Sequence, residues 1–234
     1  MTARNSDRFI IAYNRIEKAM EKLSGTNGHL PFSRLLDKSK KVSPIIRKFE
    51  QDLREYGDLR NAIVHHRTEF NYAIAEPHDD VVRLMEYIEQ ELSRPHTVGD
   101  LFTRKVFTLR ASDKLATGLK VIREKRFNQI PIYEGGHFIG LVTAMGITYW
   151  LADKSTEENI SREMPTLLDI YHHEKRKKTY RFVPMGLSVY GAEEYFKKAV
   201  ESGNRLEALL ITENGQPHEK LLGIVTPLDL MQID

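Results

Sequence analysis

The sequence predicts an α+β protein, in which an all-helical bundle over residues 1–94 precedes a duplicated α/β unit over residues 95–234. Two observations predict this division. Apolar residues recur at helical spacing until Pro95, and proline disfavours helix at the residue before it. Beyond it the apolar period shortens, and the pattern Gly-apolar-apolar-Thr occurs twice, at residues 140–143 and 223–226. Such internal repetition indicates one structural unit built twice.

Composition excludes several classes of protein. The 234-residue chain carries 35 Lys and Arg against 33 Asp and Glu, a net charge of +2, so no overall field attracts nucleic acid or a membrane surface. It contains no cysteine, which excludes disulfides, thiol nucleophiles and cysteine-bound zinc. We find no signal peptide and no apolar run of membrane-spanning length, so we expect a cytoplasmic protein without a membrane partner.

The first part of the chain follows a helical pattern. Apolar residues at three- to four-residue spacing over residues 9–20 and again over residues 81–92 predict two amphipathic helices. A third helix is predicted over residues 49–63, and Pro44 favours a helix start ahead of it. We expect roughly four helices packed as an antiparallel bundle. The predicted connections are residues 24–28 and 70–78.

Beyond the boundary the predicted elements follow the order strand, helix, strand, strand, helix, and this order occurs twice. Each copy leaves an apolar sheet face bare, so we expect the copies to pack against each other. The first copy, about residues 95–155, has strands at 106–109, 130–133 and 138–142 and helices at 114–124 and 144–151. The second, about residues 160–234, has strands at 182–184, 208–212 and 221–225, a helix at 193–200 and a closing helical turn at residue 228.

The second copy extends its motif to Gly-apolar-apolar-Thr-x-x-Asp, with Gly223, Thr226 and Asp229. On these segments the two copies resemble a tandem pair of CBS motifs, the arrangement called a Bateman module. The resemblance implies that adenosine-containing ligands such as AMP, ADP or ATP bind in clefts between the paired motifs. It also implies that the threonine hydroxyl serves phosphate or ribose and that the aspartate accepts from the ribose. A carboxylate can accept from both hydroxyls of a ribose diol, and a helix N-terminus offers free N–H groups to phosphate.

The two copies of the motif are not equivalent, because Gly146 stands where the first copy needs its acidic residue. We therefore expect a competent nucleotide site at Thr226 and Asp229. The cleft at Thr143 is expected to be empty, to bind weakly, or to take a ligand without a ribose clamp. By position alone, Val183 and Ala208 are expected to contact the base at the competent site.

A structural interpretation stands beside the functional one. A threonine that caps a helix and an aspartate in its first turn are common for reasons of stability alone. No residue of the module supplies a nucleophile or a general base, so we interpret it as a sensor and not as a catalyst.

The predicted helix over residues 49–63 continues into a polar motif formed by Arg60, Asn61 and His65. Residues one helical turn apart share a face, so a cation, an amide and an imidazole can converge there. Imidazole can take the proton of an RNA 2′-hydroxyl or protonate the leaving oxygen, and guanidinium can stabilise charge on the phosphorane. This chemistry needs no metal.

The helical segment resembles the HEPN family, small bundles marked by Arg, a polar residue, a short spacer and His. The resemblance implies a metal-independent endoribonuclease of the toxin or defence type, in which two bundles pair to form one cleft. It also implies an RNA substrate and an antitoxin partner. The family contains members that are not nucleases, and Arg60 and His65 on a solvated helix face need no function.

These features together predict a homodimeric, adenine-nucleotide-sensing protein whose ligand gates RNA cleavage by Arg60, Asn61 and His65. The alternative is a non-catalytic nucleotide-binding regulator whose helical domain only dimerises or docks on a partner. A third hypothesis is that the bundle binds the nucleotide and the CBS pair is only a dimerisation platform.

Overall fold

The computed structural model describes residues 4–25, 30–65, 75–155, 164–173 and 179–233. The chain divides into two compact units. We call Met1–His96 with Ser188–Glu194 the helical unit, and Thr97–Leu187 with Tyr195–Asp234 the sheet unit. The sequence pattern did not predict that a short segment of the second copy would group with the helical unit.

The helical unit contains five complete helices within its described residues; the helix start at Pro44 was predicted, and the helix at Phe32–Ser39 was not. Its first and last helices pack along each other, and their predicted apolar positions, such as Phe9 and Met85, are fully buried. Ser43 caps the short helix by accepting from the amide of Ile46, and Pro44 occupies its first turn. The helices are α1 (Asn5–Ser24), α2 (Phe32–Ser39), α3 (Pro44–Lys48), α4 (Glu50–His65) and α5 (Asp79–Ser93). The predicted connections at 24–28 and 70–78 lie partly outside the described residues.

The sheet unit contains the predicted repeat. In each copy a first strand pairs in parallel with a second, which pairs antiparallel with a third. The first copy consists of α6 (Val98–Phe102), β1 (Leu109–Arg110), α7 (Leu115–Lys125), β2 (Gln129–Glu134), β3 (His137–Thr143) and α8 (Ala144–Ser155). The second consists of α9 (Leu167–His173), β4 (Tyr180–Pro184), α10 (Val189–Glu201), β5 (Ala208–Thr212), β6 (Gly223–Val225) and α11 (Pro227–Leu230); the part of α10 up to Glu194 groups with the helical unit. The mixed α+β class and the duplication are confirmed.

The first predicted strand, at residues 106–109, is wrong over most of its length. Only Leu109 and Arg110 pair with β2, while residues 104–108 have no regular structure. Phe107 is 41% exposed although a strand in this position would bury it. Val106 and Phe107 are therefore not apolar because they belong to a strand. Their side chains line a cavity in the sheet unit.

The leading helix of each copy packs against the motif strand of the other copy. Helix α6 contacts β6, and a β-carbon on Gly223 would lie 2.4 Å from the carbonyl oxygen of Phe102. Helix α9 contacts β3, and a β-carbon on Gly140 would lie 2.2 Å from the ring of Tyr171. The close approach to backbone therefore requires glycine at position 223, whereas a β-carbon at position 140 would have to displace the ring of Tyr171.

The two sheets share an apolar interior within the sheet unit. The ring of Phe138 lies 5.2 Å from that of Tyr180 and 5.1 Å from that of Phe182, in edge-to-face geometry. Leu141, Ala208 and Leu210 are fully buried beside them. Burial of apolar surface at roughly 25 cal/mol per Å² stabilises this junction, so neither copy is expected to be stable alone.

The loop between β5 and β6 is organised by one carboxylate. Glu219 accepts from the backbone amides of Asn214 and Gln216, at 2.8 and 3.2 Å, and from the side-chain amide of Asn214 at 2.8 Å. These hydrogen bonds, with that from the Asn214 backbone the largest, lower the pKa of Glu219 from 4.5 to about 2.

This lowered pKa predicts a pH dependence of stability. Because the folded-state pKa lies below the unfolded one, the contribution of Glu219 is fully present above about pH 5 and is lost as pH falls through about 2. We expect Glu219→Gln to lower the urea midpoint at neutral pH and to have a vanishing effect near pH 2. Glu213→Gln, an exposed control in the same loop, should change little at either pH. A destabilisation by Glu219→Gln that does not vary with pH would contradict this account.

Among the described helices, none is long and apolar enough to cross a membrane.

Candidate functional site

A cavity of about 850 Å³ lies in the sheet unit, at the place where the two copies of the repeat meet. The first copy contributes residues 104–107, the end of α7 with the loop after it, and the start of α8. The second copy contributes residues 205–207 and the start of α11. The volume is within the range of small-molecule sites in proteins, roughly 300–1,000 Å³.

Thr226 and Asp229 both line this cavity and form a reciprocal capping box at the start of α11. The carboxylate oxygen Oδ2 of Asp229 accepts from the Thr226 amide at 2.8 Å and from its hydroxyl at 2.6 Å. The Thr226 hydroxyl in turn accepts from the Asp229 amide at 3.3 Å. The hydroxyl is therefore engaged inside the protein, and the second carboxylate oxygen, Oδ1, lies outside the box.

The same Thr-x-x-Asp box occurs at two other helix starts in the sheet unit. Thr97 with Asp100 begins α6, and Thr166 with Asp169 begins α9, with nearly identical hydrogen bonds. Neither of these pairs lines the cavity. The motif is thus a helix cap wherever it occurs, and only its position at Thr226 makes it a candidate for ligand binding.

A cation approaches the free side of the Asp229 carboxylate. The guanidinium of Arg104 donates to Oδ1 at 3.5 Å, and the Arg104 backbone amide is fixed by the carbonyl of Leu222 at 3.0 Å. The Arg104 side chain is 62% exposed, so this ion pair is weak and replaceable.

Thr143 lies at the start of α8, with its hydroxyl accepting from the Gly146 amide at 2.9 Å. Its side chain is 1% exposed and is absent from the lining of the cavity. Gly146 supplies no carboxylate to complete a box, so the first copy retains only half of the capping arrangement.

Val183 and Ala208 do not line the cavity. Val183 is 1% exposed in β4, and Ala208 is fully buried at the start of β5. Ala208 belongs to the apolar interior between the two sheets, together with Phe182. Because side chains alternate along a strand, Val183 lies on the opposite face of β4 from Phe182. The contact of Val183 and Ala208 with the base of a nucleotide stays a prediction.

Sequence reasoning missed two aromatic side chains that line the cavity. Phe107 and Phe127 are each 41% exposed, which is unusual for rings of this size. Asn128 and Gln129 follow Phe127 and add polar groups. The available signal was the segment Arg-Phe-Asn-Gln before β2, where an aromatic residue interrupts a polar run.

The helical unit places the predicted catalytic motif on α4. Arg60 extends over Tyr13, with the guanidinium carbon 5.7 Å from the ring centre, and its Nη1 donates to Oδ1 of Asn61 at 3.3 Å. The Nε atom of Arg60 is buried and has no hydrogen-bond partner among the described residues. Burial raises the pKa of the Tyr13 phenol.

Asn61 is exposed on α4, and His65 is the last residue of the same helix. The His65 side chain lies outside the described part of the structure, so the meeting of Arg60, Asn61 and His65 stays a prediction. Among the described residues, no group of three or more His, Asp or Glu could hold a metal ion.

No curated protein matches this sequence. Solved structures similar to the chain include the CBS domain pair of MJ0100, in complex with methylthioadenosine and S-adenosyl-L-methionine. That match has 15% identity and a TM-score of 0.44, over 59% of this chain and 94% of that one. CBSX2 in complex with AMP matches at 16% identity and a TM-score of 0.43, over 58% of this chain and 94% of that one.

The CBS domain of the bacterial CNNM/CorC family Mg²⁺ transporter, in complex with ATP, matches at 18% identity. Its TM-score is 0.42, and the match covers 58% of this chain and 85% of that one. A family model also matches part of the sequence directly, over the segment from α6 to α8. That model describes the CBS domain and matches residues 98–153, and the second copy of the sheet unit repeats the strand order of that segment.

Proposed function

We propose that the sheet unit binds an adenine nucleotide in the cavity beside Asp229, and that this binding is the regulatory input of the protein. The observation that carries the proposal is the Asp229 carboxylate, which lines the cavity and is held in one orientation by Thr226. One of its oxygens closes the capping box, and the other remains for a ligand once Arg104 moves aside.

The roles of the two motif residues then differ. Asp229 Oδ1 accepts from the hydroxyls of a ribose, a charge-assisted contact that is stronger than one between neutral groups. Thr226 acts as a positioning residue, because its hydroxyl already donates to Asp229. Phe107 and Phe127 offer exposed rings to the flat base.

Three other residues were expected from the sequence to contact a nucleotide. Thr143, Val183 and Ala208 are all buried outside the cavity lining, and their contact with a nucleotide stays a prediction.

Calorimetric titration of the full chain with adenosine, AMP, ADP and ATP tests this proposal. We expect saturable binding and a rise in the thermal midpoint with nucleotide concentration, because a ligand that binds only the folded state stabilises it. If none of these compounds binds at millimolar concentration, the proposal is wrong.

We further propose that the helical unit is a metal-independent endoribonuclease of the HEPN type, which acts through Arg60, Asn61 and His65. The Arg60 Nε atom supports this proposal, since a buried donor without a partner costs free energy and is often kept for a ligand. A phosphate oxygen of RNA would satisfy it. His65 would serve as the general base or acid, in a homodimer that pairs two such motifs.

A second candidate is a non-catalytic regulator whose helical unit dimerises or docks on a partner. The position of Arg60 over the Tyr13 ring favours it, because a cation–π contact stabilises the bundle without any substrate. Under this interpretation the protein reports the nucleotide to another molecule and cuts nothing.

An RNA cleavage assay separates the two candidates. We expect labelled RNA to be cut in the presence of a metal chelator, to an extent that changes when an adenine nucleotide is added. His65→Ala should abolish cleavage and leave nucleotide binding unchanged. Absence of cleavage in every condition would favour the non-catalytic regulator.

Regulation of cleavage requires a specific energetic link. A nucleotide can shift the pairing of two helical units only by the difference in its affinity for the two arrangements. Reciprocally, RNA should then change the affinity for the nucleotide by the same factor. The third hypothesis, a nucleotide site in the bundle, predicts instead that changes at Asp229 leave nucleotide affinity intact.

A further inference from the structure

The cavity beside Asp229 is lined by an excess of positive charge. Among the described residues it contains five cationic side chains against two carboxylates, Glu207 and Asp229. Two of the cations are paired with these carboxylates: Arg205 Nε lies 2.8 Å from Glu207, and Arg104 lies 3.5 Å from Asp229. The other three cations are Lys105, Lys125 and Arg126.

These three cations have no ion-pair partner within the described part of the chain. Lys125 and Arg126 end helix α7, and Lys105 follows Arg104 in the irregular segment opposite. Like charges gathered at one cavity repel one another, so their proximity lowers stability unless an anion is bound. The arrangement fits a ligand that carries several negative charges.

Arg126 shows a second, independent feature that points to a ligand. Its φ angle is 57°, the left-handed region, and it is the one residue other than glycine with positive φ in the described ranges. The α-helices α1 and α10 have glycines with left-handed φ at or just beyond their ends, Gly25 and Gly203. Glycine is preferred there because a β-carbon crowds the backbone. Helix α7 is therefore followed by an arginine in the left-handed conformation that glycine adopts beyond α1 and α10.

We infer that this cavity selects nucleotides by the length of their phosphate chain and takes a triphosphate in preference to a monophosphate. The inference rests on the proposed nucleotide function, with the ribose at Asp229 and the phosphates at Lys105, Lys125 and Arg126. A single phosphate carries at most about two negative charges at neutral pH, whereas a chain of three phosphates supplies negative charge for all three cations. The cavity volume of about 850 Å³ has room for such a ligand.

The test measures affinity for adenosine, AMP, ADP, ATP and inorganic tripolyphosphate by calorimetry, without divalent cations. An exposed charge pair changes an equilibrium constant by about two- to fivefold, so ATP should bind at least about tenfold more tightly than AMP. Salt should weaken ATP binding much more than adenosine binding, because exposed ionic contacts are screened.

Arg126→Gly is the decisive variant, since its two expected effects have opposite signs. Removal of the strained side chain should raise the thermal midpoint by about 2–4 °C. The affinity for ATP should fall about fivefold, while adenosine affinity stays within about twofold. Lys125→Gln should also weaken ATP binding, whereas Lys120→Gln, an exposed lysine on the same helix α7 outside the cavity, should not.

The outcomes separate this inference from the proposed function. Equal affinities for AMP and ATP, unchanged by Arg126→Gly, would overturn the phosphate-chain inference and leave the nucleotide site in place. A different outcome is that tripolyphosphate binds as tightly as ATP and that Arg126→Gly abolishes its binding. This outcome would support the phosphate subsite and overturn the adenine-nucleotide function. If neither nucleotides nor tripolyphosphate bind, both are wrong.

Discussion

Asp229→Asn is expected to lower the affinity for ATP by about a hundredfold, a loss of about 2.7 kcal/mol in binding free energy. The ribose hydroxyls would donate to a carboxylate, and hydrogen bonds to a charged group contribute roughly 1.5–3 kcal/mol. Asparagine keeps the shape of the side chain and an acceptor for the Thr226 amide, so the helix cap remains. Titration calorimetry of the unmodified protein and of Asp229→Asn measures the difference in ATP affinity.

The repeated capping box provides a matched control for this prediction. Asp169 makes the same hydrogen bonds to Thr166 that Asp229 makes to Thr226, but it does not line the cavity. Asp169→Asn should therefore change the free energy of unfolding by about the same small amount as Asp229→Asn, and it should leave the affinity for ATP unchanged. Equal losses of ATP affinity in the two variants would show that the motif acts only through folding. Unchanged affinity in Asp229→Asn would support a nucleotide site elsewhere, as the third hypothesis requires.

Gly223→Ala should destabilise the sheet unit by about 3 kcal/mol. The added β-carbon would lie 2.4 Å from the backbone carbonyl oxygen of Phe102 and 3.0 Å from the side chain of Ile211. The carbonyl oxygen of Phe102 is a backbone atom of helix α6 and cannot rotate away, so α6 and β6 must separate, and overpacking of this kind typically costs about 1–3 kcal/mol. Urea unfolding, followed by circular dichroism, measures the change in the free energy of unfolding.

Gly186→Ala is the control for the glycine prediction. A β-carbon on Gly186 would meet no atom within 4 Å. The effect of this substitution should stay within about 0.5 kcal/mol. If Gly223→Ala is equally harmless, α6 does not pack against β6 as described, and the twin glycines need another explanation.

The duplicated unit could be predicted from the sequence because its signals are local. Alternating and helical apolar patterns, turn glycines and helix-capping residues each act within a few positions of the chain. The elements observed at 129–134, 137–143 and 208–212 lie close to those predicted. The segment at 106–109 was predicted as a strand because apolar residues that line a cavity have the same local pattern as those of a strand.

The candidate site could be predicted only in part. Thr226 and Asp229 were identified from the motif, yet the same pair of residue types caps α6 and α9 without lining the cavity. Val183 and Ala208 were assigned by position, and both side chains are buried outside the cavity lining. The cations and aromatic rings of the cavity come from several segments distant in the chain, and no spacing rule brings them together.

The motif of Arg60, Asn61 and His65 differs from the cavity, because its three residues lie close together in the sequence. Its residue types and spacing predict chemistry on RNA, and α4 carries Arg60, Asn61 and His65 along one helix as the sequence indicated. The buried Nε of Arg60 and its contact with Tyr13 depend on how α1 and α4 pack, and the sequence contains no local signal for either.

The sequence by itself therefore determined the fold class, the repeat and the asymmetry between Asp229 and Gly146, because these depend on residue types at short spacing. Only the tertiary structure decided which Thr-Asp pair lines the cavity described above, which cations gather around it and why a β-carbon at Gly223 would clash with backbone. These properties depend on how the leading helix and the loops of one copy approach the other, and such contacts between distant segments leave no periodic pattern in the chain.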